Sequence, residues 1–396
     1  MLSRFLPWFP AAVAAALMTV AVGAYDRQAP APSAPRIVAI GDIHGSLSGL
    51  QQILRAAALV DDKQRWSGGT ARLVQTGDFT DRGDHVREVM DLLMRLEGEA
   101  RRAGGRVDVL FGNHEGMNVL HDLRDVSPGA FAKFADQRSE DRRRRAFDAH
   151  AEIAKRAGVA LARDEWMADH PPGYVEYVQA LGPSGQYGRW IRARKPVLQI
   201  DDAIFMHAGL HPQGTATVDD TNRLVEREVK TWDELLATME RAKLITGVFT
   251  LQEVINVAQV EIGRIAIAQK TSEPLPEYVT REYVNQLVQL QTFPKWALID
   301  ENGPLWYRGY ASPDDEPLPG FDGLLTRLGV RRFVTGHTPQ LPGGKITSRW
   351  GGKAILIDTG MLSSHYKGGQ PSALEIQQGR LTAIYANGRE PLGGDK

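Results

Sequence analysis

The chain has 396 residues, 42% hydrophobic and 24% charged, enough apolar material for one large α/β domain or for two or three average ones. Its formal net charge of -1 leaves no basic footprint, so nucleic acid is not an expected partner. The absence of cysteine excludes disulfides, zinc-thiolate sites and thiol nucleophiles, so any hydrolysis must use activated water or another nucleophile.

Residues 1–24 combine Arg4, an uncharged Ala/Val/Leu-rich run and small residues at Val22 and Ala24. That order predicts a secretory signal peptide cleaved after about Ala24, or else an N-terminal anchor in which residues 5–25 tether the chain to a membrane. Residues 25–35, ending in APAPSAP, read as an extended Pro/Ala linker, and the folded domain is expected over 36–390. A periplasmic or cell-envelope location follows as an expectation.

Three apolar segments then end in Gly followed by polar residues: IVAIGDIHG (Ile37–Gly45), LVQTGDFTDRG (Leu73–Gly83) and VDVLFGNHE (Val107–Glu115). Runs of Val, Ile and Leu that stop at Gly predict buried strands feeding tight turns, which bring Asp42, His44, Asp78, Asp81, Arg82, Asn113 and His114 to one crevice. Helical spacing over Ser46–Val60 and Asp84–Ala103 predicts two helices of βα units. Helical insertions are expected at about 118–195 and 219–291. The four-arginine run in the first, SEDRRRRAF, reads as a solvated helix face.

Between the insertions, PVLQIDDAIFM predicts a hairpin turning at Asp201-Asp202 and delivering His207 at a strand end. After them, GPLWYRGY makes Arg308 a phosphate-clamp candidate, and RRFVTGHT ends a further strand at His337. The remaining strands, to Gly388, are expected to pair as meanders in a second sheet packed on the first. His365 and Tyr366, just after IDTG, are candidates to line the pocket.

Oxygen and imidazole ligands without thiolates suit a pair of divalent metals. Asp78 would bridge them, Asp42 and His44 would hold the first, and Asn113, His207 and His337 the second. Two metals about 3.5–4 Å apart activate water for in-line phosphoester hydrolysis. Arg82 can offer a bidentate guanidinium to phosphate, with Asn113 also a phosphate contact, while His114 can protonate the leaving group with Asp81 holding its ring.

Taken in order, GDIHG, GDFTDRG, GNHE, HAGL and GHT resemble the signature blocks of calcineurin-like metallophosphoesterases of the phosphoprotein phosphatase type. LWYRGY and IDTGM resemble the Shewanella-like bacterial branch. The resemblance implies a two-sheet α/β sandwich flanked by helices and bound manganese, iron or zinc. It assigns Asp42, His44, Asp78, Asn113, His207 and His337 to metal, Asp81 and His114 to acid catalysis, and Arg82 to phosphate. It also implies a phosphoprotein or phosphopeptide substrate, with phosphotyrosine or phosphoserine/threonine as the target. Two alternatives stand beside it: a small-molecule phosphoesterase such as a dinucleoside polyphosphate hydrolase, and a non-catalytic metal-binding envelope protein.

Overall fold

The structure is a computed structural model that describes residues 36–312 and 314–393. The expected signal peptide or anchor and the linker lie outside the described residues. Strand β1 (Ile37–Ile40) is buried along its whole length and shows why two cores form. Its alternate side chains leave on opposite faces, so Val38 and Ile40 pack with helices while Ile37 and Ala39 pack with a second sheet. Helix α1 (Leu47–Ala56) follows, then β2 (Arg72–Gln75), α2 (Val86–Arg102), β3 (Arg106–Val109) and α3 (Asn113–Val119). Strands β1, β2 and β3 are parallel neighbours, with Val38 opposite Leu73 and Leu73 opposite Val107.

The first helical stretch holds α4 (Pro128–Ala132), α5 (Ser139–Arg156), α6 (Arg163–Asp169), α7 (Tyr174–Leu181) and α8 (Gln186–Arg192). It shares one core with the helical face of the first sheet; Phe79 meets the Trp190 ring at 5.2 Å. The arginine run lies on α5, and one member departs from the solvated reading. Arg143 is buried because its Nε donates to the His170 carbonyl and its Nη2 to that of Met167, both at 2.6 Å, which ties α5 to the end of α6.

The predicted hairpin is present as β4 (Val197–Ile200) and β5 (Ala203–Met206), with Asp201 at φ 50° in its turn. Helices α9 (Val218–Arg241), α10 (Leu251–Thr271), α11 (Arg281–Leu290) and α12 (Phe321–Leu328) come next, then β6 (Arg332–Thr335), β7 (Thr347–Arg349), β8 (Ala354–Leu356), β9 (Ser372–Gln377), β10 (Arg380–Tyr385) and β11 (Gly388–Pro391). Capping boxes at Thr217/Asp220 and Thr250/Glu253 start α9 and α10.

The sheets run β11-β10-β9-β1-β2-β3 and β4-β5-β6-β8-β7. One expectation is corrected here. The C-terminal meander β9–β11 does not build the second sheet; it extends the first, because the free edge of β1 accepts β9 antiparallel. The second sheet grows instead from the hairpin, with β5, β6 and β8 parallel. Ala203, Phe205, Val334 and Ile355 face the first sheet, while Ile204, Met206 and Phe333 pack towards α12. Among the described residues, no helix is long and apolar enough to cross a membrane.

Candidate active site

All six residues expected to bind metal stand just beyond the C-terminal ends of parallel strands: Asp42 and His44 after β1, Asp78 after β2, Asn113 after β3, His207 after β5 and His337 after β6. The turns fit because glycine leaves room. A Cβ on Gly77 (φ 96°) would lie 2.6 Å from the Gly112 nitrogen, and one on Gly336 would lie 2.2 Å from Asp42 Oδ1. Asp78, Asp81 and Arg82 have φ of 57°, 66° and 64°, a left-handed backbone that L side chains adopt at a cost.

Asp78 stands at the centre. Its Oδ2 is 3.3 Å from His207 Nε2, 3.7 Å from His44 Nε2 and 3.8 Å from His114 Nε2. His44, Asp78 and His114 form one donor group and Asp78, His207 and His337 a second, so Asp78 belongs to both. Asp42 joins through His44 Nε2 at 3.8 Å, and Asn113 Oδ1 lies 2.7 Å from His207 Nε2.

The second nitrogens of these rings decide what the cluster can hold. His44 Nδ1 faces the Thr80 carbonyl at 3.0 Å, His207 Nδ1 that of Thr76 at 3.2 Å and His337 Nε2 that of Trp306 at 3.0 Å, so each ring has a carbonyl placed to take its proton when the other nitrogen serves a cation. The other nitrogens therefore point lone pairs inward, and those of His207 and His337 are 2.9 Å apart. Lone pairs facing lone pairs and carboxylates in a buried space repel unless a cation lies among them, and a backbone carbonyl behind each imidazole is the usual support of a metal ligand. The residues fit a divalent metal pair.

Beside the cluster, His114 Nδ1 contacts Asp81 Oδ2 at 2.8 Å. Arg82 spans the opening, with Nη1 2.7 Å from His44 Nε2 and Nη2 3.0 Å from His114 Nε2, and with Nη1 also against the Tyr366 hydroxyl. The Arg308 side chain is exposed and donates from Nη1 to the His337 carbonyl at 2.8 Å and to Thr338 Oγ1 at 3.1 Å. The expected metal, acid and phosphate residues thus gather at this one site, and of the two pocket candidates after IDTG, Tyr366 joins it through Arg82 while His365 is exposed and packs on the Tyr366 ring.

A family profile described as calcineurin-like phosphoesterase matches residues 35–341. The chain belongs to the calcineurin-like phosphoesterase family. Its relatives include Shewanella-like protein phosphatase 2 of Arabidopsis thaliana, 33% identical over 355 residues that make up 87% of this chain and 75% of the relative. An uncharacterized protein of Schizosaccharomyces pombe is 30% identical over 88% of this chain and 79% of its own length. Among solved structures, a cold-active protein-tyrosine phosphatase of a Shewanella species has a TM-score of 0.56 at 24% identity, covering 90% of this chain and 80% of that one, a likeness of fold.

In this metallophosphoesterase, burial opposes charge on His114, but Asp78 and Asp81 outweigh it and lift the imidazole to about 9. His44 and His337 are held well below the ordinary histidine range, first by burial and then by the neighbouring imidazoles His114 and His207, which keeps them neutral as ligands must be. Asp42 is pushed well up by burial, then by Asp358 and Asp78.

Four contributors escaped the sequence reading. Glu115, fully buried, accepts from the backbone nitrogens of Asp78, Phe79, Thr80 and Gly112 and from Thr80 Oγ1, at 2.8 to 3.1 Å, and so fixes the strained turn. Asn118 Nδ2 donates to Asp81 Oδ1 at 2.7 Å and to the His114 carbonyl at 2.9 Å, and the Tyr177 hydroxyl on α7 donates to Asn118 Oδ1 at 2.7 Å. Asp358, after β8, is buried beside Asp42 and raised to about 6, mainly by burial. The E of GNHE was a visible signal for Glu115; Asn118, one turn beyond His114 on α3, was legible as its neighbour. Nothing local pointed to Tyr177.

Proposed function

We propose that this metallophosphoesterase dephosphorylates proteins, with phosphotyrosine and phosphoserine/threonine as the two arms of its test. The His114–Asp81 pair carries the reading, because it stands against a shared donor cluster with Arg82 across the opening. The protein phosphatase name of the Arabidopsis relative supports the substrate class. Asp42, His44, Asp78, Asn113, His207 and His337 would hold two divalent ions, manganese first and iron or zinc next. When bound, such a pair polarises the phosphate and lowers the pKa of a water for one-step in-line attack.

The chain's own groups do the rest. Arg82, already spanning His44 and His114, is placed to take two phosphate oxygens, with Arg308 able to add charge from the His337 side and Asn113 an amide donor. With Arg82 turned from His114 Nε2 to the phosphate, that nitrogen is free to carry the proton given to the leaving oxygen, while Asp81 holds Nδ1.

The test is a panel of phosphopeptides, p-nitrophenyl phosphate and dinucleoside polyphosphates, with Mn²⁺ added, on wild type and His114→Asn. Phosphopeptide turnover is expected, slowed by about 10²–10⁴ in the variant for alkyl esters and less for aryl esters, whose oxygen leaves without a proton. Equal losses for both ester types would remove the acid role. Turnover of polyphosphates alone would make the chain a small-molecule phosphoesterase, and no turnover by metal-loaded protein a binding protein. We also propose an extracytoplasmic location, motivated by the uncharged run after Arg4; sequencing the mature N-terminus of fractionated protein by mass spectrometry tests it. Full-length chain confined to the cytosol would refute it.

A further inference from the structure

The helical stretch that the shared core does not explain carries a second concavity close to the active site. It measures about 710 Å³, within the ~300–1,000 Å³ usual for ligand sites, and lies between the loop after α3, helix α6 and the start of α10. Its position is set by that loop. Asp125 Oδ2 is 3.8 Å from His114 Nδ1, and the Asp125 carbonyl accepts from the Arg82 nitrogen at 2.8 Å. Asp122, three residues earlier, lines the cavity, so at most about 10 Å of chain separates its wall from Asp125, which faces His114.

The lining is acidic and acceptor-rich. Asp122, Glu165, Asp169 and Glu253 contribute carboxylates, against Arg124 as the one lysine or arginine among the described residues that line it. Arg124 is spent on Asp122 at 3.3 Å, and Glu253 caps α10 and faces His150 Nε2 at 3.4 Å. Glu165 and Asp169 remain, both on exposed positions of α6. His170 supplies an independent sign. It is 6% exposed, its Nδ1 donates to the Trp166 carbonyl at 2.8 Å, and its Nε2 is therefore a buried acceptor that meets no donor. Trp166 stacks on it at 3.9 Å and Tyr174 approaches at 4.5 Å, giving aromatic walls beside the carboxylates.

Carboxylates and aromatic side chains line the cavity, with the unsatisfied His170 acceptor buried in its wall, a setting that suits a ligand bringing positive charge and N–H donors. We propose that this cavity is a specificity site for a lysine or arginine side chain of the phosphorylated substrate, so that the enzyme selects peptides with a basic residue within about four positions of the phosphorylated one. The inference rests on the protein phosphatase reading and adds to it the composition of the substrate.

The experiment compares kcat/KM for phosphopeptides carrying Arg, Ala or Glu at positions two to four from the phosphorylated residue, on wild type and on Glu165→Gln/Asp169→Asn, with p-nitrophenyl phosphate as control. Both substituted residues are exposed and neither belongs to the catalytic set. Arg peptides should exceed Glu peptides by about tenfold, chiefly through KM, and the double variant should lose most of that ratio while p-nitrophenyl phosphate turnover holds. Cleavage of all three peptides with equal kcat/KM would overturn the proposal, as would an equal loss on p-nitrophenyl phosphate. Inertness of every peptide beside rapid cleavage of nucleotides would instead overturn the reading on which it rests.

Discussion

Glu115→Gln is the sharpest test of how the turn that carries Asp78 is held. Glu115 is fully buried, and its two oxygens accept five hydrogen bonds: Oε1 from the Phe79 and Thr80 nitrogens and Thr80 Oγ1, Oε2 from the Asp78 and Gly112 nitrogens. Burial and then Asp78 push its carboxyl up to about 7, and the donors from Thr80, Asp78 and Gly112 pull the other way. Glutamine keeps the shape but turns one oxygen into an NH₂, so in either orientation at least two buried backbone N–H groups face another donor. At about 1–3 kcal/mol for each, the loss is about 2–6 kcal/mol against a total stability on the order of 5–15. Urea unfolding of the metal-free protein measures it, since bound metal would add its own stabilisation. The metal content and kcat of the loaded variant should also fall, because the Asp78 nitrogen is one of the two backbone groups that Oε2 anchors. An unchanged urea midpoint and slope, together with full metal content, would show that Glu115 does not hold the turn.

Asp78→Asn should release metal and nearly abolish turnover, since the carboxylate common to both donor groups becomes neutral; elemental analysis and rate together check it, and unchanged values would sink the bridging role. Tyr177→Phe removes the donor to Asn118 and leaves the ring against Phe131 and Phe134, so kcat should drop severalfold for alkyl esters with KM held, a split read by steady-state kinetics. Glu228 accepts from the Ala297 and Leu298 nitrogens, yet burial raises it from the ordinary 4.5 to about 7. Its contribution to stability is therefore full below about pH 4.5 and lost as pH rises through about 7, by about 3 kcal/mol at most and less for its partial exposure. Glu228→Gln should flatten that decline in denaturant unfolding followed from pH 4.5 to 8, and an unchanged slope would exclude the group.

The sequence by itself determined the candidate ligands and the turns that carry them, because both are local. A strand of Val, Ile and Leu stopping at Gly places the next polar residue at the strand's end whatever lies elsewhere, so GDIHG, GDFTDRG, GNHE, HAG and GHT each announced a candidate ligand. The helices after β1 and β2 and the Asp201-Asp202 hairpin were legible for the same reason, since period and turn residues act within a few positions. What depended on distant partners was decided only by the tertiary structure. The alternation of β9 and β10 says which face is apolar but not which sheet has a free edge, and β1 supplied it. Arg143 looked like one of four solvated arginines until α6 ended over it with two carbonyls lacking donors. Tyr177 reached Asn118 beside the His114–Asp81 pair, and Asp358 reached Asp42, only when packing brought far-apart segments together. Hydrogen bonds and carboxylate repulsion act over a few ångströms of space, and no pattern along the chain records which distant segments will come that close.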